Sequence, residues 1–167
     1  MNSFDASITF EQAIALTQTL LTQPPLEFGG QVRALLQTAN GARGFFVTYL
    51  TQAWEIDPDQ EAEIVAALQL YPQAELLVKN LAMSTAMAIA HSRNGNLEQA
   101  AGSEQVQQRT RKLIAHLQTP ELQIIAQQMA ESALGNDLTY ADFLQKWGYD
   151  PEQRQAIAAA LDQLWAN

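Results

Sequence analysis

Two histidines, His91 and His116, are the only imidazoles of the chain. Neither has a second histidine or a carboxylate at the spacing that would put two ligands on one helical face, so zinc-peptidase and di-iron bundle chemistry find no ligand set. Cysteine is absent. That removes thiolate ligands, a thiol nucleophile and disulfides together. The densest group of acids is Asp57, Asp59, Glu61 and Glu63. Alternating carboxylates of this kind could coordinate calcium, but Ala62 stands where the loop needs glycine for its sharp turn, and Leu68 where it needs a bidentate glutamate. Pro58 commits the segment to the start of a helix, where negative charge complements the exposed amide end. Ser84-Thr85 offers hydroxyls inside an apolar segment, with His91 two turns on. Gly41-Ala42-Arg43-Gly44 is too short to cradle phosphate and carries no Lys-Ser or Lys-Thr pair. No catalytic residue, metal ligand or cofactor is assigned, and the chain is expected not to be an enzyme.

One tract combines residue types that dominate binding surfaces. Arg43-Gly44-Phe45-Phe46-Val47-Thr48-Tyr49 sets a cation beside three aromatic rings, and arginine and aromatics are the side chains on which protein interfaces concentrate their energy. Arg43, Phe45 and Phe46 are therefore the candidate partner-binding residues. The competing assignment puts Phe46, Tyr49 and Leu50 in the core and pairs Arg43 with an acid such as Glu27 or Asp57.

Composition narrows the partner. The formal net charge is -9 over 167 residues. Binding to a nucleic-acid backbone requires clustered lysines and arginines that displace counterions, and only Arg109-Thr110-Arg111-Lys112 forms such a cluster, so nucleic acid is not expected as a partner. The segment Met1-Asn2-Ser3-Phe4-Asp5 has no basic region and leads into no long apolar run, so no secretory signal is expected. No apolar stretch reaches the ~18 residues of a membrane span. The nearest, Leu76 to Ala90, is interrupted by Lys79 and Asn80. A cytoplasmic location follows as the expectation.

The elements that must position these side chains are helical throughout. Ala, Leu, Gln and Glu dominate, and no alternating run of β-branched residues appears. Thr9 with Gln12 forms a capping box ahead of Ile14, Leu16, Leu20 and Leu21. Pro24-Pro25 ends that helix. A second carries Val32, Leu35, Leu36 and Ala39 and stops at Asn40-Gly41. A short third holds Phe45, Phe46, Tyr49 and Leu50. Asp57-Pro58 opens a fourth. The fifth runs from Tyr71-Pro72 to about Arg93 and is apolar nearly all round, as a central helix is. A softer stretch, Asn96 to Ser103, precedes a sixth helix ending near Leu117. Thr119-Pro120 opens the seventh, with Leu122, Ile125, Met129 and Leu134 inward. Thr139 caps a short eighth, and Asp150-Pro151 opens the ninth.

Part of this pattern occurs twice. Trp54 to Leu68 and Trp147 to Leu161 share eight of fifteen positions, including Trp, Asp-Pro, Gln and the Ala-Ala-Leu end. Chance pairing at average residue usage gives about one match. Self-similarity at a fixed offset predicts duplicated architecture. The fold expected is all-α, with about nine helices in two pseudo-equivalent four-helix units (9-71 and 103-167) joined by a central apolar connector helix (72-93). Trp54, Trp147 and Trp165 are expected to anchor the core.

The tract Asn40-Gly41-Ala42-Arg43-Gly44-Phe45-Phe46-Val47-Thr48-Tyr49-Leu50-Thr51 resembles a segment of uncharacterised small all-helical proteins of cyanobacteria and chloroplasts. The resemblance implies a cytoplasmic or stromal setting and brings no active site with it. Together these observations predict a non-enzymatic protein-binding or adaptor protein, its partner another protein or a second copy of the chain. The alternative expectation is a small-ligand or cofactor-binding protein with an apolar pocket between the two halves.

Overall fold

The computed structural model describes residues 8–55 and 57–166. The expectation placed on Met1 to Asp5, and Ile56 of the repeated signature, lie outside the described residues. Among the described residues there are nine α-helices and no strand, as an all-α reading requires. They are α1 (Phe10–Thr22), α2 (Phe28–Leu36), α3 (Ala39–Thr51), α4 (Pro58–Leu70), α5 (Ala74–Arg93), α6 (Leu97–Leu117), α7 (Pro120–Ala133), α8 (Ala141–Lys146) and α9 (Pro151–Asp162), followed by a 3-10 turn over Gln163–Trp165. The chain divides into two compact units, residues 1–73 and 74–167.

In the first unit α1 packs on α3, and α2 on both α3 and α4. The start of α1 is the capping box read from sequence: Thr9 Oγ1 accepts from Gln12 N, and Thr9 N donates to Gln12 Oε1. The start of α3 differs from expectation. Asn40-Gly41 does not stop a helix; it lies in the first turn of one. Thr38 is the cap, its hydroxyl accepting from Gly41 N at 3.0 Å. Glycine is required there because a Cβ on Gly41 would stand 2.2 Å from the carbonyl oxygen of Leu35. One turn on, α3 crosses α1 so closely that a Cβ on Gly44 would lie 2.4 Å from Cβ of Ala13. Two buried threonines flank this crossing, Thr17 on α1 and Thr48 on α3. Each satisfies its hydroxyl on the carbonyl four residues back, Ala13 O and Gly44 O, so neither leaves a buried donor unpaired. Phe28, Val32, Leu35, Tyr49, Ile64 and Leu68 fill the interior.

In the second unit α5, the helix expected as a connector, packs on α6, α9 and α7. Leu77, Val78, Leu81, Ala82 and Ala86 are buried along it, and its hydroxyls Ser84 and Thr85 bond back to the carbonyls of Asn80 and Leu81. The stretch expected to be soft is helical from Leu97, because Asn96 accepts from Gln99 N and caps α6. Gly95, at φ 72°, makes the turn between α5 and α6. The ninth helix opens as read from sequence: Asp150 and Gln153 form a reciprocal capping box. Gln153 is nearly buried, and its Nε2 also donates to the carbonyl of Ala86 at 3.0 Å, fixing α9 to α5.

Candidate functional site

The phase of α3 decides the fate of the Arg43 tract. With the helix starting at Ala39, Asn40, Arg43 and Val47 point outward, while Phe45, Phe46 and Tyr49 turn inward. Phe45 is 0% and Phe46 1% exposed. Their rings meet at 5.3 Å edge to face, Phe45 stacks on Tyr49 at 5.6 Å, and Tyr49 meets Trp54 at 5.0 Å. Phe45 and Phe46 therefore offer no surface to a partner, and the expected trio is broken up. Arg43 alone of the three is exposed. Its guanidinium lies 5.3 Å from the ring centre of Phe10 on α1, a cation over an aromatic face. Among the described residues neither Glu27 nor Asp57 forms an ion pair with it. Asp57 is occupied as the cap of α4, accepting from Asp59 N and Gln60 N.

Glu63, of the same acidic group, has a structural duty too. Glu63 reaches across from α4 to accept from Gly29 N at 2.7 Å, supplying the start of α2 with the acceptor that Glu27 does not provide. A Cβ on Gly29 would intrude on that carboxylate at 2.5 Å. Among the described residues no three His, Cys, Asp or Glu side chains come together as a metal site. His91 and His116 each lie in the last turn of a helix, the placement a cation-capable side chain favours.

A different concentration of binding-type side chains lies in the second unit, along the turn from α7 to α8 and at the end of α8. Leu134 is 48%, Leu138 85% and Trp147 49% exposed. The turn is ordered by polar bonds rather than by burying these leucines. Asp137 accepts from Ser132 Oγ at 3.2 Å and Thr139 N at 2.7 Å, and Ser132 Oγ accepts from Tyr140 N at 3.1 Å. Hydrogen bonds from Thr139 and Ser132 hold the Asp137 carboxyl below the usual carboxylate range. Thr139 is therefore not the cap of α8; Tyr140 occupies that position. Lys79 of α5 lies 5.3 Å from the Phe143 ring and 5.9 Å from that of Tyr140, with Glu75 2.7 Å from its ammonium. This cation seats α8. Leu144 is wholly buried, and the helix ends with Lys146 5.4 Å from the Trp147 ring.

Beside Leu134 a shallow cleft of about 300 Å³ opens between the end of α7 and the start of α9, lined by Gly135, Pro151, Arg154 and Gln155. Arg154 Nε donates to the carbonyl of Tyr149 at 3.1 Å, which fixes the guanidinium at the cleft. At the start of α9, Asp150 and Glu152 are both bound by Arg93 from the end of α5. Sequence reasoning had placed Leu134 inward and Trp147 in the core. The signal it passed over is Leu138, a large apolar residue alone in the polar turn Gly135-Asn136-Asp137.

A family model described as uncharacterised conserved protein UCP020893 matches residues 9–164, spanning both units. The chain belongs to that family. No curated protein and no solved structure matches it. Among the described residues no helix is long and apolar enough to cross a membrane.

Proposed function

We propose that this is a non-enzymatic protein-binding or adaptor protein whose contact surface is the α7–α8–α9 corner of the second unit. The observation that carries the proposal is the exposure of Leu134, Leu138 and Trp147 along one short turn and helix. Single exposed apolar side chains are ordinary. Several along one short segment, one of them lining a cleft and a tryptophan among them, have the character of an interaction surface. Arg43, held over Phe10, is a second exposed hot-spot residue and supports the same class of function from the first unit. The cytoplasmic setting, and a family distributed among cyanobacteria and chloroplasts, belong to this proposal and rest on the Asn40 to Thr51 tract.

Duplication is also part of it. Helices α4 and α9 both open on Asp-Pro and both pack on the helix two before them, α2 and α7. That supports copying of one bundle. The indoles have diverged: Trp54 is partly buried and donates to Tyr49 O at 3.2 Å, while Trp147 is half exposed.

Site-specific photo-crosslinking tests the surface. A crosslinking residue at Leu138 should give a discrete protein adduct in cells, one at the exposed α7 position Gln127 should not, and Trp147→Ala should remove the adduct without lowering the melting temperature. Equal labelling from both positions, or none from Leu138, overturns the assignment.

A further inference from the structure

Five asparagines lie among the described residues: Asn40, Asn80, Asn94, Asn96 and Asn136. Asparagine is chemically labile, because the next backbone nitrogen can attack its side-chain carbonyl carbon. Two conditions govern the attack: little bulk on the next residue, and a backbone free to leave its fold while the ring closes. Glycine follows only Asn40 and Asn94. Asn80, Asn96 and Asn136 precede Leu81, Leu97 and Asp137, whose side chains hinder the nitrogen. Asn96 is also committed as the cap of α6, and Asn136 Nδ2 donates to Glu131 at 3.1 Å.

The two Asn-Gly pairs have opposite surroundings. Asn40 lies in the first turn of α3, its Nδ2 donating to the carbonyl of Ile8 at 3.3 Å. Gly41 N is held by Thr38, and Gly41 is pressed against the carbonyl of Leu35. Asn94 instead follows the last residue of α5, and both Asn94 and Gly95 are exposed. Among the described residues nothing bonds the Asn94 side chain, and nothing lies within 4 Å of the place a Gly95 Cβ would take. The turn is closed by Gly95 N donating to Ser92 O at 3.1 Å and Asn96 N to His91 O at 2.9 Å. Solvent-exposed bonds at a helix end open at low cost.

We propose that Asn94 is a site of spontaneous self-modification, and that loss of its amide rebuilds the turn between α5 and α6. The Gly95 nitrogen bonds to Cγ of Asn94, the Cγ–Nδ2 bond breaks, and ammonia leaves with the proton of the Gly95 amide. Water then opens the cyclic imide at either carbonyl. The product is aspartate, or isoaspartate with the main chain rerouted through the side-chain carbons and lengthened by a methylene. Either sets a carboxylate at the negative end of the α5 dipole, where that charge is unfavourable. Isoaspartate also draws Gly95 and Asn96 away from Ser92 O and His91 O. The last turn of α5 then loosens around Arg93, which holds Asp150 and Glu152 at the start of α9. The site is independent of the partner surface proposed above.

The full chain is aged in mildly alkaline buffer, folded and in urea, and followed by tryptic mass spectrometry. Peptides 34–43, 80–93, 94–109 and 113–146 separate the sites, and fragmentation distinguishes Asn94 from Asn96. In the folded chain the acid should form at Asn94 at least about tenfold faster than at any other described asparagine, a barrier difference of ~1.4 kcal/mol. In urea Asn40 should rise to match Asn94, since only the fold separates them. Asn94→Gln should leave peptide 94–109 unmodified and melt like the parent. The purified isoaspartyl form should melt below Asn94→Asp, and Asn94→Asp below the parent. Folded-state loss at Asn40 as fast as at Asn94, or acid in peptide 94–109 of Asn94→Gln, overturns the site. An isoaspartyl form that melts like the parent overturns the rebuilt turn.

Discussion

At the scale of the residue, Arg43 and Phe45 show how little two neighbours in sequence need to share in role. Phe45 is enclosed by Phe46 and Tyr49, so Phe45→Ala removes a buried ring and leaves a cavity. The expected loss is about 3–5 kcal/mol in urea denaturation. Arg43→Ala removes an exposed cation from the Phe10 ring and should leave the denaturation midpoint nearly unmoved. The same tract was legible as important but not as to its direction. A pair of adjacent phenylalanines gives no helical phase; the phase comes from the Thr38 cap, and Asn40-Gly41 resembles a stop so closely that the cap is masked. Tyr149 makes a second prediction. Burial pushes its phenol up to about 12, so the folded state favours the neutral ring. The stability this contributes is complete below the ordinary tyrosine value of about 10 and is lost as pH rises through the folded value. Thermal melts across that alkaline window should fall for the parent and fall less for Tyr149→Phe. Part of the slope should persist, because burial and Glu75 raise Tyr140 as well.

Between elements, glycines and caps carry the consequences. Gly44 and Gly102 are both helical, yet Ala should act on them with opposite sign. At Gly44 the new methyl would meet Ala13 and the carbonyl of Phe10, and overpacking of that kind costs about 1–3 kcal/mol. At Gly102 on α6 nothing lies within 4 Å, so the methyl adds helix propensity, about 0.8–1.0 kcal/mol at most. Denaturation midpoints of the two single variants check both signs. The Arg93 clasp on the first turn of α9 gives an acid-side prediction. Arg93 and the amide of Gln153 hold Asp150 below the usual carboxylate range. Its contribution is therefore present above that range and lost as pH falls through the lowered value. Melting curves in acid should show a shallower slope for Arg93→Ala than for the parent. The starts of α1, α4, α7 and α9 could be read from Asp-Pro, Thr-Pro and Thr-x-x-Gln signals, because capping is chemistry within a few residues of sequence. The Glu63 bond to Gly29 could not, since its partners lie thirty-four residues apart.

Across the whole chain, the helical class was plain from composition and periodicity, while the surface assigned to partners was not. Burial of an apolar residue follows from packing against distant elements, so Leu134 and Trp147 looked like core until their neighbours were known.

The tight passage of α3 over α1 has an evolutionary corollary. Position 44 cannot gain a methyl unless position 13 gives one up, so the two should drift together among relatives as a compensating pair. Ala13→Gly should act as a suppressor of Gly44→Ala, recovering part of the lost stability in a double-mutant cycle. The recovery should be incomplete, because the oxygen of Phe10 remains 3.0 Å from the added carbon.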